Sequence, residues 1–304
     1  MTTKAHRLRQ IIATTDPQQA LSIQRELAPL VCIPPWPCLA RSSDKLRILA
    51  LDVAYSDSLI VGSAVLWDPQ RHEVSWQSMR SSTTPAFPYV PGLLAFREIP
   101  TLYPLIDEAL AHACPTGRDE TGESPSIVLL CDGLGIAHPQ GLGLASHLGL
   151  IYDLPSIGTA KNHFWGTYDA ASLGFPRGSR VLLRKPSEES QQAEQQVGPE
   201  QEQEQEQEQE QEQEQEQEQE QEQETVTAQP DEAMGHVLRT QDGINPIFVS
   251  PGHRVSLDEA ADVVLSLCST YRLPDPIRSA DHIGRIELQR LERERGQPCK
   301  QSDR

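Results

Sequence analysis

The chain has 304 residues, 37% of them hydrophobic, and a formal net charge of −18, enough apolar material for one sizeable α/β domain with appendages. Thirteen Glu in residues 200–224, a run without Lys or Arg, leave only −5 for the remainder; overall charge argues against a generally basic nucleic-acid binder but leaves room for a locally basic groove. Six Cys without a CxxC pair speak against a disulfide framework or structural zinc site, and with no apolar run near about 18 residues and no signal-like N-terminus, a soluble protein of the nucleus or cytoplasm is expected.

Residues 1–45 read as a helix and a Pro-rich linker. Asp16 resembles an N-cap with Pro17 in the first turn, and Leu21, Ile23, Leu27 and Leu30 are placed on a core before Pro34 and Pro37 break the helix. Residues 46–53, 59–67 and 73–79 read as three strands joined by short turns, an antiparallel meander. Residues 93–113 carry a helical stripe of Leu94, Leu102, Leu105, Ile106, Ala109 and Leu110, interrupted at Pro100 and perturbed at Pro104. The unbroken apolar run 127–131 suits a central strand covered on both faces, and Asp132 stands at its carboxyl end.

Residues 142–152 then suit a closely packed helix and 156–159 a strand leading into Ala160 and Lys161, so parallel neighbours are expected. Residues 181–184 and 236–239 look like strands flanking the low-complexity segment 187–232. There Glu alternates with Gln and buries nothing as helix or strand, and disorder is expected. After a strand at 246–250, Ser256 and Glu259 form a capping box that launches a helix over 257–270. A last helix carries Asp281, and residues 286–304 form a charged tail. A meander followed by βα units is the layout of ribonuclease H-like folds: an α/β protein with a mixed sheet flanked by helices, its main domain spanning 46–285.

The pivot is the stretch IVLLCDGLGIAHP at 127–139. In open α/β sheets ligands bind outside the carboxyl ends of strands, and Gly133 and Gly135 remove side chains that would hold a nucleotide off the backbone. A DG pair alone is more often a plain turn. Three further acids supply partners: Asp52 in an apolar run, Glu98 after PYVPGLLAFR, and Asp281 in PIRSAD. Four carboxylates at the ends of core elements suit Mg2+, with Mn2+ as the alternative, because hard ions prefer oxygen ligands and substrate phosphates. Asp52 and Asp132 would hold the principal ion, with Glu98 and Asp281 completing the cluster; the competing reading makes the latter two unrelated surface charges.

Lys161 either neutralises a phosphate or is simply solvated. His138 and His253 are phosphate or base contacts, or structural hydrogen-bonders. His282 follows Asp281 on a helix and should point elsewhere. Tyr89, between Pro88 and Pro91, could fill the gap left by a flipped base or pack as a Pro-Tyr turn.

PYVPGLLAFRE, DGLGIAHP with GLASHLGL, IGTAK, and SPGHRVSL with YRLPDPIRSAD together resemble the endonuclease V family, in order, over roughly residues 46–281 outside the Gln/Glu insert. The resemblance implies a ribonuclease H-like fold and Mg2+-dependent hydrolysis of a phosphodiester one nucleotide beyond inosine, in single- or double-stranded RNA or DNA. It implies catalytic Asp52, Glu98, Asp132, Asp281 and Lys161, and a wedge at Tyr89. Gly92, Leu94, Gly133, Gly135, His138 and Gly143 would line the hypoxanthine pocket. Leu134 departs from the polar residue frequent in the family, and the insert departs from compact members and could bind a basic partner. A monomer is expected. Two other readings stand beside this one: a catalytically silent inosine-binding module, and another ribonuclease H-like nuclease acting on junctions.

Overall fold

A computed structural model describes residues 4–37, 39, 46–83, 87–113, 126–186 and 233–296; the Gln/Glu segment lies outside them. In chain order the elements are α1 (Lys4–Ala13), α2 (Pro17–Leu27), β1 (Leu46–Tyr55), β2 (Leu59–Asp68), β3 (Glu73–Thr83), α3 (Ala95–Ala113), β4 (Ser126–Asp132), α4 (Leu144–Tyr152) and β5 (Ser156–Ala160). There follow β6 (Arg180–Arg184), β7 (Ala233–Leu238), β8 (Ile247–His253), α5 (Leu257–Ser266) and α6 (Asp275–Gly296).

Eight strands form one mixed sheet in the order β3-β2-β1-β4-β5-β8-β7-β6. The meander pairs antiparallel, β1, β4 and β5 run parallel, and β8, β7 and β6 return antiparallel. The expected meander and parallel strands are therefore present, and the two strands flanking the Gln/Glu segment pair with each other.

Helices cover both faces, which explains the continuous apolar runs. Leu49, Leu51, Leu129 and Cys131 face a core with α1 to α4, whereas Ile48, Ala50, Val128 and Leu130 face one with α5 and α6. Strand side chains alternate with period two, so Asp52 and Asp132 continue the second set, toward α6. Ser256 caps α5, its hydroxyl accepting from the Glu259 N–H, which is one half of the expected capping box, while Glu259 Oε1 accepts from the Leu39 N–H at 2.8 Å.

Several boundaries differ from expectation. The amphipathic α1 had not been anticipated, and it buries Leu8 and Ile11. Leu30 is exposed, because α2 ends at Leu27 and a 3-10 turn carries Leu30 outward. α3 runs unbroken through Pro100 and Pro104; each proline removes one N–H, and the remaining bonds and the buried face hold the helix. Leu94 precedes α3 and is exposed rather than part of its stripe. α5 stops at Ser266, four residues short of the expected end. α6 continues past residue 285, and Leu288 packs with Leu59 and Val61 of β2. Among the described residues no helix is long and apolar enough to cross a membrane.

Candidate active site

The last ladder pair between β1 and β4 is Leu51 with Cys131. The next residue on each strand is an aspartate, and parallel neighbours about 4.8 Å apart set the two side by side on the same face. Their carboxyls come within hydrogen-bonding reach of each other. Asp281 arrives from α6, whose approach is fixed by Ser63: its hydroxyl donates to the Ala280 carbonyl at 2.8 Å and to the Asp52 carbonyl at 3.3 Å. A Cβ on Gly284 would meet the Ser63 Oγ at 3.0 Å, so glycine there permits the helix its close contact with β2.

Asp52, Asp132, Asp281, Lys161, Tyr55 and Arg285 line one cavity of about 450 Å3, walled further along α6 by Leu288, Gln289 and Glu292. Glu98 comes from α3 on the opposite side of the sheet and does not line this cavity. It still feels the charges of Asp52 and Asp132. The structure thus brings Asp52, Asp132, Asp281 and Lys161 to one cavity and sets Glu98 buried behind it.

The electrostatics are those of acids crowded out of water. Burial, then the charges of Asp132 and Asp281, pushes the Asp52 carboxyl up to about 7, against a hydrogen bond from the Val53 N–H. Burial pushes Glu98 up to about 8; the Tyr55 hydroxyl, donating to its Oε1 at 3.0 Å, opposes this, and Asp52 and Asp132 add to it. Asp132 is raised by burial, with Lys161 opposing. Asp281 pairs with Arg285, Nε to Oδ1 at 2.6 Å.

An all-oxygen donor pair taken out of water by burial, in which the Asp132 charge further raises the proton affinity of Asp52, is what a hard divalent cation would relieve. Among the described residues no group of three or more His, Cys, Asp or Glu is arranged to hold a metal. Mg2+ is commonly held by one or two carboxylates, with water and phosphate filling its other positions, and Asp52 with Asp132 fits that requirement.

The second constellation surrounds Gly92. Its carbonyl accepts from His138 Nε2 at 2.8 Å and from Gln24 Nε2 at 2.9 Å, and the Gln24 amide also donates to the Leu142 carbonyl at 3.1 Å. The Gln140 N–H donates to His138 Nδ1 at 3.2 Å, so Nδ1 is bare and Nε2 carries the hydrogen. Burial pushes His138 down to about 4, and the ring is neutral near pH 7. Gly92 has φ +78°, the left-handed region that favours glycine. Tyr89 is 63% exposed and Leu94 38%.

Gly135 and Gly143 have a reason to be glycine that the sequence reading missed. A Cβ at Gly135 would lie 2.1 Å from the Pro251 carbonyl oxygen, and one at Gly143 would lie 2.3 Å from that of Leu134. Backbone, rather than space kept for a nucleotide, occupies both positions. Gly133 has φ +145° and would place a Cβ 3.2 Å from Leu144. Leu134 is buried with Ala137, Leu183 and Phe248. His253 does not line the cavity: its Nδ1 accepts from the Cys32 N–H at 3.1 Å and its Nε2 lies 3.4 Å from Asp153 Oδ1. His282 is exposed.

Tyr55, Arg285 and Gln24 were not singled out from sequence. Arg285 lies one helical turn after Asp281, a spacing that could have flagged it. Tyr55 fell beyond the expected end of its strand, and Gln24 is one polar residue on an amphipathic helix, with no signal of its own.

The family model for Endonuclease V matches residues 39–282. Endonuclease V of Streptomyces avermitilis is 37% identical over 244 residues, 80% of each chain. The chain belongs to the Endonuclease V family. It is therefore an endonuclease, a hydrolase of phosphodiester bonds, as the motifs implied. The crystal structure of the Streptomyces avermitilis Endonuclease V superposes with a TM-score of 0.65 at 32% identity, covering 92% of this chain and 96% of that one. Endonuclease V of Ciona intestinalis, crystallised in complex with a 24mer DNA containing an inosine followed by a ribo-adenosine, shares the fold at a TM-score of 0.58 and 24% identity, over 91% of this chain and 100% of that one. Within the Endonuclease V match fall all four acids, Lys161, and the loop from Tyr89 to Leu94.

Proposed function

We propose that this chain hydrolyses a phosphodiester on the 3′ side of inosine or deoxyinosine, in RNA or DNA, using Mg2+ with Mn2+ as a substitute, on a ribonuclease H-like fold. The observation that carries the reading is the pair Asp52 and Asp132, the first buried and the second half-buried, side by side at the ends of parallel strands and open to one cavity. A bound divalent ion would activate water and stabilise the leaving oxygen. The protein's part is to hold it with Asp52 and Asp132, complete the acidic cluster with Glu98 and Asp281, and offset phosphate charge with the ammonium of Lys161.

The neutral His138 and the carbonyl of Gly92, locked to each other and to Gln24, form a rigid edge for the extruded base, beside Leu94 and Gly133, while Gly135 and Gly143 let the backbone behind that edge pack closely. Exposed Tyr89 on the same loop is the wedge. Family membership and the motifs support inosine, and the Ciona relative's inosine-containing DNA makes it the first base to test. Repair of deaminated DNA and processing of inosine-containing RNA both fit this chemistry. We place the protein in the nucleus or cytoplasm as a monomer, with the Gln/Glu segment open to a basic partner.

The test is cleavage of matched RNA and DNA oligonucleotides, each with one inosine. Mg2+-dependent nicking 3′ of inosine, lost in Asp52→Ala and Asp132→Ala, is the expected result. Inosine binding without turnover at any divalent-ion concentration would point instead to a silent binding module, and preference for junctions over inosine to a different nuclease.

A further inference from the structure

Lys161 leaves the sheet where its ladders end. The last pair between β4 and β5 is Asp132 with Thr159, and the last between β5 and β8 is Ala160 with Phe248. The backbone at Lys161 has no strand partner to hold it, yet its long side chain must deliver an ammonium to the cavity. A flexible stem on a loose backbone would scatter that charge.

The Lys161 carbonyl is met by Arg272, from the loop between α5 and α6. Its Nη2 donates to the Lys161 carbonyl at 2.5 Å and to the Pro246 carbonyl at 2.6 Å. Pro246 immediately precedes β8, so one guanidinium ties the exit of β5 to the start of its antiparallel neighbour. Arg272 is itself anchored: its carbonyl accepts from Thr240 Oγ1 at 2.6 Å and from Cys268 Sγ at 3.7 Å. Among the described residues no carboxylate forms an ion pair with it. The guanidinium is half-buried with its Nε unpartnered, a placement with a desolvation cost and with two carbonyls as its contacts.

We propose that Arg272 is a positioning residue for Lys161: by clamping the Lys161 and Pro246 carbonyls it fixes the origin from which the lysine ammonium reaches the scissile phosphate. The proposal rests on the reading of Lys161 given under the proposed function, and the experiment separates the two. Single-turnover cleavage of an inosine oligonucleotide in Mg2+ is measured for the full chain and for Lys161→Ala, Arg272→Ala and the double variant. Melting curves establish that each is folded. Arg272→Lys enters the same cycle, because an ammonium retains the charge but loses the planar fork; it keeps the test open should Arg272→Ala fail to fold.

Displacement of a group by about 1 Å can cost up to about a hundredfold in rate. Arg272→Ala should slow single-turnover cleavage by about tenfold or more, with KM moving by less than about twofold, and Arg272→Lys should fall between. In the Lys161→Ala background either substitution should cost less than about a further twofold, because residues acting through one another are not additive. Equal fold-losses in both backgrounds would overturn the clamp and leave the role of Lys161 standing. A Lys161→Ala protein cleaving at the parent rate would overturn that role and the proposal with it.

Discussion

The crowding of acids at the cavity has a measurable consequence for stability. A carboxyl whose folded pKa is raised binds its proton more tightly in the folded state. Its contribution to stability is therefore complete below the unfolded value and is lost as pH rises through the folded one. For Asp52 that window runs from 3.8 to about 7. At about 1.36 kcal/mol per pH unit, ionised Asp52 costs at most about 4 kcal/mol at pH 8. Asn keeps the shape and removes the charge. The buried Asn amide carries a desolvation cost of its own, so Asp52→Asn should stabilise the metal-free protein by about 2 kcal/mol at pH 8, or about 4–8 °C in Tm for a domain of this size. At pH 5, part-way up that window, the difference should fall to about a third of its pH 8 value, and it should vanish only below the unfolded value of 3.8. The buried His138 and His147, lowered to about 4 and about 3, weaken the fold on the acid side instead, equally in both proteins, and cancel from the comparison. Mg2+ at pH 8 should raise the parent's Tm and leave the variant's nearly unchanged. Thermal melts of both proteins at the two pH values, in EDTA and in Mg2+, supply the numbers. A variant no more stable than the parent at pH 8, or a difference that does not vary with pH, would refute the reasoning.

Tyr55→Phe removes the hydroxyl that donates to Glu98 Oε1 and should push Glu98 higher still than about 8; a hydrogen bond to a charged group is worth about 1.5–3 kcal/mol, so the acid limb of the pH–rate profile should move up by about one pH unit or more, with the variant's rate between pH 8 and 9 falling well below the parent's. Gly135→Ala places a methyl 2.1 Å from the Pro251 carbonyl oxygen; urea titration should show a loss of about 1–3 kcal/mol or more, and a protein of parental stability would contradict this close approach. Gln24→Ala severs α2 from the Gly92 and Leu142 carbonyls and should raise KM for inosine oligonucleotides several-fold while kcat holds. Because β6 and β7 pair with each other, replacing residues 191–230 with a short Gly/Ser linker should leave cleavage of short oligonucleotides within about twofold of the parent, since closure entropy changes slowly with loop length.

How much of this could be read beforehand depends on where each constraint resides. The sheet and its acids were legible because both kinds of information are local: strands covered on both faces appear as unbroken apolar runs, and a carboxylate ending such a run stands out against the cost of burying charge. Asp52 and Asp132 share a face because each follows the same alternation, one step past Leu51 and Cys131. The residues that were missed act across distances the sequence does not encode. Gln24 reaches a carbonyl 68 residues away, and Arg272 reaches one 111 residues away. Gly135 is explained by Pro251 rather than by its neighbours in DGLGIAHP. The same division governs Glu98: its helix and burial follow from the local pattern, but its place behind the sheet, held by Tyr55 rather than lining the cavity, follows from how α3 packs. The acids that could meet an ion are thus written into strand ends, while the groups that would aim them depend on the assembled fold, and mutations in the second set should change rates and pH profiles before they change which bond is cut.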